Sequence, residues 1–90
     1  MLKEIKTSNG LLFQVDDNVF DDMEVIDALA EMQKGDVGFV SGYPMLVKKV
    51  LGDEQRKTMY DALRDENGRV PVQAVGETMG EILSLLKKNT

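Results

Sequence analysis

The chain has no cysteine, no histidine and no tryptophan, and only two prolines in 90 residues. Each absence excludes something. Without cysteine, neither a disulfide framework nor a thiolate metal site can staple the fold. Without histidine, the commonest general base and the commonest metal ligand are missing. Together the two absences leave zinc and copper without their usual ligands. Carboxylates, lysines, hydroxyls and oxygen-ligated cations remain for chemistry. Apolar runs extend only a few residues, far short of the roughly 20 that span a bilayer. The opening MLKEIKTSNG lacks the apolar segment of a signal peptide, so the expectation is an intracellular protein. Basic residues are the minority, 11 against 16 acidic, for a net charge of −5. That balance opposes binding to nucleic acid or to an anionic membrane surface, and it suits a basic or neutral protein partner.

What is present is ordinary for a folded domain: 42% hydrophobic and 30% charged residues. The length implies one domain with a small core and a high surface-to-volume ratio. No repeat, low-complexity segment or interdomain linker interrupts it.

Leu2 to Val15 reads as a β-hairpin about Ser8-Asn9-Gly10. Asn9-Gly10 is a strong two-residue turn signal, because both residues accept positive φ. A lone hairpin is barely stable in water, so its apolar candidates Ile5, Leu12, Phe13 and Val15 must lie on the helices or on another subunit. Asp21 is the expected N-cap of a first helix over about 22–34, with Glu24 completing a capping box and Gly35 as the stop. Met23, Val25, Ile26, Leu29, Ala30 and Met32 give that helix one broad apolar face. Asp36 is a second cap candidate. The apolar segment 37–51 that follows is interrupted by Gly38, Gly42 and Pro44, which predicts a kinked helix or one restarting near Tyr43. Crowded with Met45, Leu46, Val47, Val50 and Leu51, it should be the most buried helix. Gly52 ends it, Asp53 caps a third helix to about Arg64, and DENG (65–68) closes that one. Pro71 fits the first position of a fourth helix, which carries the cleanest amphipathic stripe, Val72, Val75, Met79, Ile82, Leu83 and Leu86, before the closing KKNT. The expected fold is mainly α: a small bundle of about four short helices with an N-terminal β-hairpin. It forms a single domain over 1–90, with the hairpin in 1–16 and the helical part in 22–88.

Five features are candidates for chemistry. DENGRVPV resembles half a calcium loop: with Gly68 at position six, Asp65, Asn67 and Val70 fit positions three, five and eight. Leu63 and Ala74 then occupy positions one and twelve, so both charged anchors are missing, and the stretch reads as a helix stop followed by a helix start. GDVGFVSG has three glycines without phosphate-loop spacing or its lysine-serine pair, which favours close helix packing. Asp16, Asp17, Asp21, Asp22 and Glu24 read mainly as a solvated helix cap whose residual field can face a partner. Five methionines fall within predicted helices; they suit core packing, with room for one or two on an adaptable surface. Ser41, Thr78 and Ser84 have no histidine to activate them, so no catalytic residue, cofactor or metal site is expected and the protein is not expected to be an enzyme.

Taken together, DDMEVIDALAEMQKGD, VLGDEQRKTMYDAL and DENGRVPVQAV resemble the tail assembly chaperones of long-tailed bacteriophages with non-contractile tails. The matching positions are Gly35-Asp36, Leu51-Gly52-Asp53-Glu54-Gln55 and Gly68-Arg69-Val70-Pro71-Val72. The resemblance covers most of the chain from about Leu12 onward, and its motifs are structural punctuation. The sequence departs from the family at SGYP, where a continuous helix would stand. The resemblance implies a phage or prophage protein that coats the tape-measure protein, keeps it soluble and helps recruit tail-tube subunits. It would act in the host bacterial cytoplasm and be absent from the mature virion.

A cofactor-free acidic helical domain with apolar stripes suits such a role. The expected docking surface combines Val75, Met79, Ile82 and Leu86 of the last helix with Phe39, Tyr43 and Leu46 of the second. Self-association remains open. The alternative is a small acidic phage adaptor or regulatory protein-binding module; a calcium-responsive domain or a small enzyme ranks below it.

Overall fold

The structure, a computed structural model, describes residues 1–88. A two-stranded antiparallel hairpin, β1 (Leu2–Lys6) and β2 (Leu12–Asp16), precedes three helices, α1 (Met23–Met32), α2 (Asp36–Leu63) and α3 (Val72–Lys88). Asn89 and Thr90 of the closing KKNT lie outside the described residues.

The hairpin pairs Ile5 with Phe13 and Lys3 with Val15. Strand side chains alternate faces, so Ile5, Phe13 and Val15 share the buried face. Leu12, expected among them, is one residue out of phase and 55% exposed. The turn also differs from expectation. Thr7 N–H donates to Leu11 O (2.9 Å) and Gly10 N–H to Thr7 O (3.0 Å). Only Gly10 takes a positive φ, 87°. This is a three-residue loop, a tight turn followed by a left-handed glycine, rather than a two-residue turn that needs positive φ at Asn9 as well.

In α1 the cap is Asp22, not Asp21. Asp22 is extended (φ −139°, ψ 116°) and its carboxylate accepts the Glu24 N–H at 2.9 Å, while Asp21 N–H closes a turn onto Asn18 O. Lys49 of α2 reaches back to Asp22 (3.3 Å) and Glu24 (3.0 Å). The helix ends at Met32, two residues short of the expected Lys34. Val25 and Ala28 face inward, and Met23 and Ile26 face solvent.

Three helices stand where about four short ones are expected, because α2 spans both predicted middle helices. Pro44 leaves the Val40 carbonyl without its helical donor, but Val40 is 71% exposed, so water reaches that side and the helix continues. The break comes instead at Gly52, whose φ of 77° and ψ of 171° are non-helical and kink α2 into two segments. Leu46, Val47, Val50 and Leu51 are buried as expected, and Met45 is exposed. The α3 helix starts at Val72, with the Pro71 carbonyl accepting the Val75 N–H at 3.2 Å. Its stripe of Val75, Met79, Ile82 and Leu86 is fully inside, where it joins Ile5, Phe13, Val15 and Met59 in one core.

Two glycines set the approach of α2 to α1. A Cβ on Gly38 would lie 2.2 Å from Glu31 O, and one on Gly42 would lie 2.7 Å from Ala28 O. Both neighbours are backbone, so neither can rotate away. The close-packing reading of GDVGFVSG therefore holds. Gly→Ala in an open helix stabilises by about 0.5–1 kcal/mol; here overpacking of about 1–3 kcal/mol wins. We expect Gly42→Ala to lower the urea midpoint. Gly80→Ala, where a Cβ meets open space, should raise it.

The Asp22 cap also makes stability pH-dependent. The Glu24 N–H, and then Lys49, hold the Asp22 carboxyl below its ordinary value. A lowered carboxyl contributes stability that is present above the unfolded value of about 3.9 and is lost as pH falls through the folded value. Urea unfolding at about pH 3 and about pH 7 should show less stability at the acid side. Asp22→Asn, which keeps a cap oxygen, should show a smaller difference between the two.

Candidate functional site

An unfilled apolar surface lies where the two segments of α2 meet the start of α3. It is a groove of about 350 Å³. Phe39, Val40, Tyr43 and Pro44 form one wall, Tyr60 and Val70 the other, and Val72 and Val75 close it. Sequence dictates this placement step by step. The glycine face of α2 is turned to α1, so Phe39 and Tyr43, about a quarter to a third of a turn around the helix from it, point elsewhere. The kink at Gly52 folds the second segment back and brings Tyr60 opposite. The turn over 65–69 then returns the chain with Val70 and Val72 at the rim.

That turn repeats the hydrogen bonding of the hairpin loop. Asp65 N–H donates to Arg69 O (2.7 Å) and Gly68 N–H to Asp65 O (3.0 Å). Asp65 Oδ1 accepts the Asn67 and Arg69 N–H groups, both at 2.9 Å, and Arg64 Nη1 donates to Gly68 O at 3.0 Å. The acidic joint thus spends its carboxylate on its own backbone, as the helix-stop reading of DENG requires. In the other acidic stretch, Asp16 Oδ1 accepts the Asn18 N–H at 2.9 Å and Asp22 is the α1 cap.

Inside the groove Phe39 and Tyr43, one helical turn apart, meet edge to face with centroids 4.9 Å apart and rings at 73°. Burial, and then Tyr60 nearby, push the Tyr43 phenol above its ordinary value, so it stays neutral at physiological pH. The Arg56 guanidinium lies 5.8 Å from the centre of the Tyr60 ring and adds a cation beside an otherwise apolar wall.

The residues expected to form a docking surface fall in two places. Phe39, Tyr43 and Val75 come together at the groove. Leu46, Met79, Ile82 and Leu86 do not: all four are buried in the core, the three of α3 because that helix packs on β1 and Leu46 because α2 packs on its neighbours. Truncating one of them to alanine removes core volume at about 2–5 kcal/mol, so it reports on folding rather than docking. Sequence reading missed Val40, Pro44, Tyr60, Val70 and Val72. The signal available for the last two was an apolar pair flanking a proline in RVPV, which reads as a joint. Of the methionines, Met59 and Met79 are core, and the exposed Met23 and Met45 do not line the groove.

Comparison with profiles of known families, with curated proteins and with solved structures finds no match to this chain. Among the described residues no helix is long and apolar enough to cross a membrane.

Nile red, a neutral apolar dye, should brighten on binding the native wild-type protein. Val72→Asp, at a position 69% exposed, should remove most of that enhancement without changing the far-ultraviolet circular dichroism.

Proposed function

We propose that the chain is a non-enzymatic assembly chaperone of the kind its sequence resembles. It binds apolar helical surface of the tape-measure protein, keeps that polymer soluble and helps bring tail-tube subunits to it. It acts in the host bacterial cytoplasm and is left out of the mature virion. The observation that carries the reading is the groove: an aromatic- and valine-lined trough left open on a chain whose net charge is −5. Soluble monomers rarely leave a contiguous apolar patch unfilled without a use for it.

The mechanism follows from the lining. An amphipathic helix presents apolar side chains at three- and four-residue spacing, and a groove accepts them as anchors. Phe39, Tyr43 and Tyr60 supply large, rigid faces that lose little conformational entropy on binding. The acidic surface elsewhere keeps the complex soluble.

Co-expression with the tape-measure protein of the same gene cluster tests this. The tape-measure protein should be soluble with the wild-type chain and insoluble without it. Val40→Asp and Val72→Asp put a charge on exposed groove positions, where the fold tolerates change. Each should weaken the complex by roughly tenfold or more. Folded variants that solubilise the tape-measure protein as well as wild type contradict the assignment.

A further inference from the structure

The hairpin has two edges, and they are treated differently. On β2 the Gln55 side chain of α2 lies along the strand. Gln14 N–H donates to Gln55 Oε1 at 2.6 Å, and Gln55 Nε2 donates to Gln14 O at 2.8 Å. One side-chain amide thus occupies the positions a neighbouring strand would use at Gln14, and that edge is blocked at its centre.

The same bonds fix the other edge. Because the Gln14 peptide groups point away from β1, its register partner Glu4 belongs to a non-hydrogen-bonded pair. The flanking bonds agree: Thr7 N–H to Leu11 O and Asp17 N–H to Met1 O place the odd-numbered residues of β1 in the bonded pairs. Leu2, Glu4 and Lys6 therefore direct their N–H and C=O groups to the outer side of β1. Among the described residues, the backbone groups of Glu4 and Lys6 have no partner there. The side chains of all three are exposed.

We propose that this edge pairs with the same edge of a second copy of the chain, antiparallel, with Glu4 opposite Lys6 of the second copy. The product is a four-stranded sheet of order β2-β1-β1-β2 about a two-fold axis. Charge selects both the occupant and the register. In this alignment Glu4 meets Lys6 twice, once on each side of the axis, and Ile5 meets Ile5 at the centre. Each Glu4–Lys6 pair exchanges two backbone hydrogen bonds. Sliding by one pair places Glu4 against Glu4, and like charges directly opposite are destabilising. A slide by a single residue sets outward peptide groups against inward ones and loses the bonds. Lysines on an edge ordinarily deter strand addition; here each lysine is met by a glutamate. The surface is far below the roughly 1,000 Å² of a stable complex, so the dimer is weak and concentration-dependent. No residue of the apolar groove lies on β1, so this pairing and the groove assignment can fail separately.

Sedimentation equilibrium at high protein concentration tests it. Wild type should show a reversible monomer–dimer equilibrium. Glu4→Lys and Lys6→Glu, both at exposed positions, should each weaken it by roughly tenfold, since two attractive pairs become repulsive. An equimolar mixture of the two single variants should associate again, because each then offers the charge the other lacks. The double variant Glu4→Lys/Lys6→Glu, with the wild-type net charge, should dimerise as wild type does. A wild-type chain that stays monomeric overturns the proposal. So does a dimer indifferent to both single changes, or a mixture that fails to associate.

Discussion

The inner face of the hairpin and the stripe of α3 bury each other, and the remaining architecture depends on that exchange. Neither element stands alone. A two-stranded hairpin is marginal in water, and a single helix of 17 residues gains most of its stability from packing one face. Ile5, Phe13 and Val15 of the hairpin and Val75, Met79, Ile82 and Leu86 of α3 belong to one core, in which β1 packs on α3 and β2 on α2. Polar bonds hold the register of the two. Ser8 N–H donates to the Glu81 carboxylate at 2.6 and 2.9 Å, and Asn9 Nδ2 donates to Thr78 Oγ1 at 3.3 Å. A third hydrogen bond, from the Thr7 hydroxyl to Asn9 Oδ1, orients the asparagine for that task. In a chain without disulfides, this contact does the work of a staple.

With the best apolar stripe consumed in the core, the apolar surface left open is set by α2. Gly38 and Gly42 press one side of that helix against α1, which turns Phe39, Val40 and Tyr43 away from it. Gly52 then bends the helix so that Tyr60 faces them. Gly76 of α3 lies beside the Tyr43 hydroxyl, where a Cβ would make an ordinary contact at 3.4 Å. The groove is thus a by-product of backbone geometry, built from residues that are individually unremarkable. The same economy appears on the sheet, where one glutamine blocks the centre of the β2 edge.

The mainly helical class, the N-terminal hairpin and the punctuation at Gly35, Gly52 and Gly68 were legible in the sequence, because period and turn chemistry are local signals. Three things were not. The phase of Leu12 follows from the register of the hairpin, and a three-residue loop shifts the register that a two-residue turn implies. The continuity of α2 through Pro44 depends on water reaching the Val40 side, which is a property of the folded surface. The site was hidden for a related reason. An amphipathic stripe shows that a helix has an apolar face and is silent about what covers it, so the strong stripe of α3 pointed to docking when it is core. Val70 and Val72 gain their role only when the turn over 65–69 brings them opposite α2.

Amide hydrogen exchange of the isolated chain tests the central contact most directly. If the hairpin and α3 close the core, the amides of 79–86 exchange only through global unfolding, at the highest protection in the molecule. Rapid exchange of those amides while the core of α2 around Val47 and Val50 stays protected contradicts the account. It would mean that α3 lifts away from the hairpin and that its stripe is free for a partner.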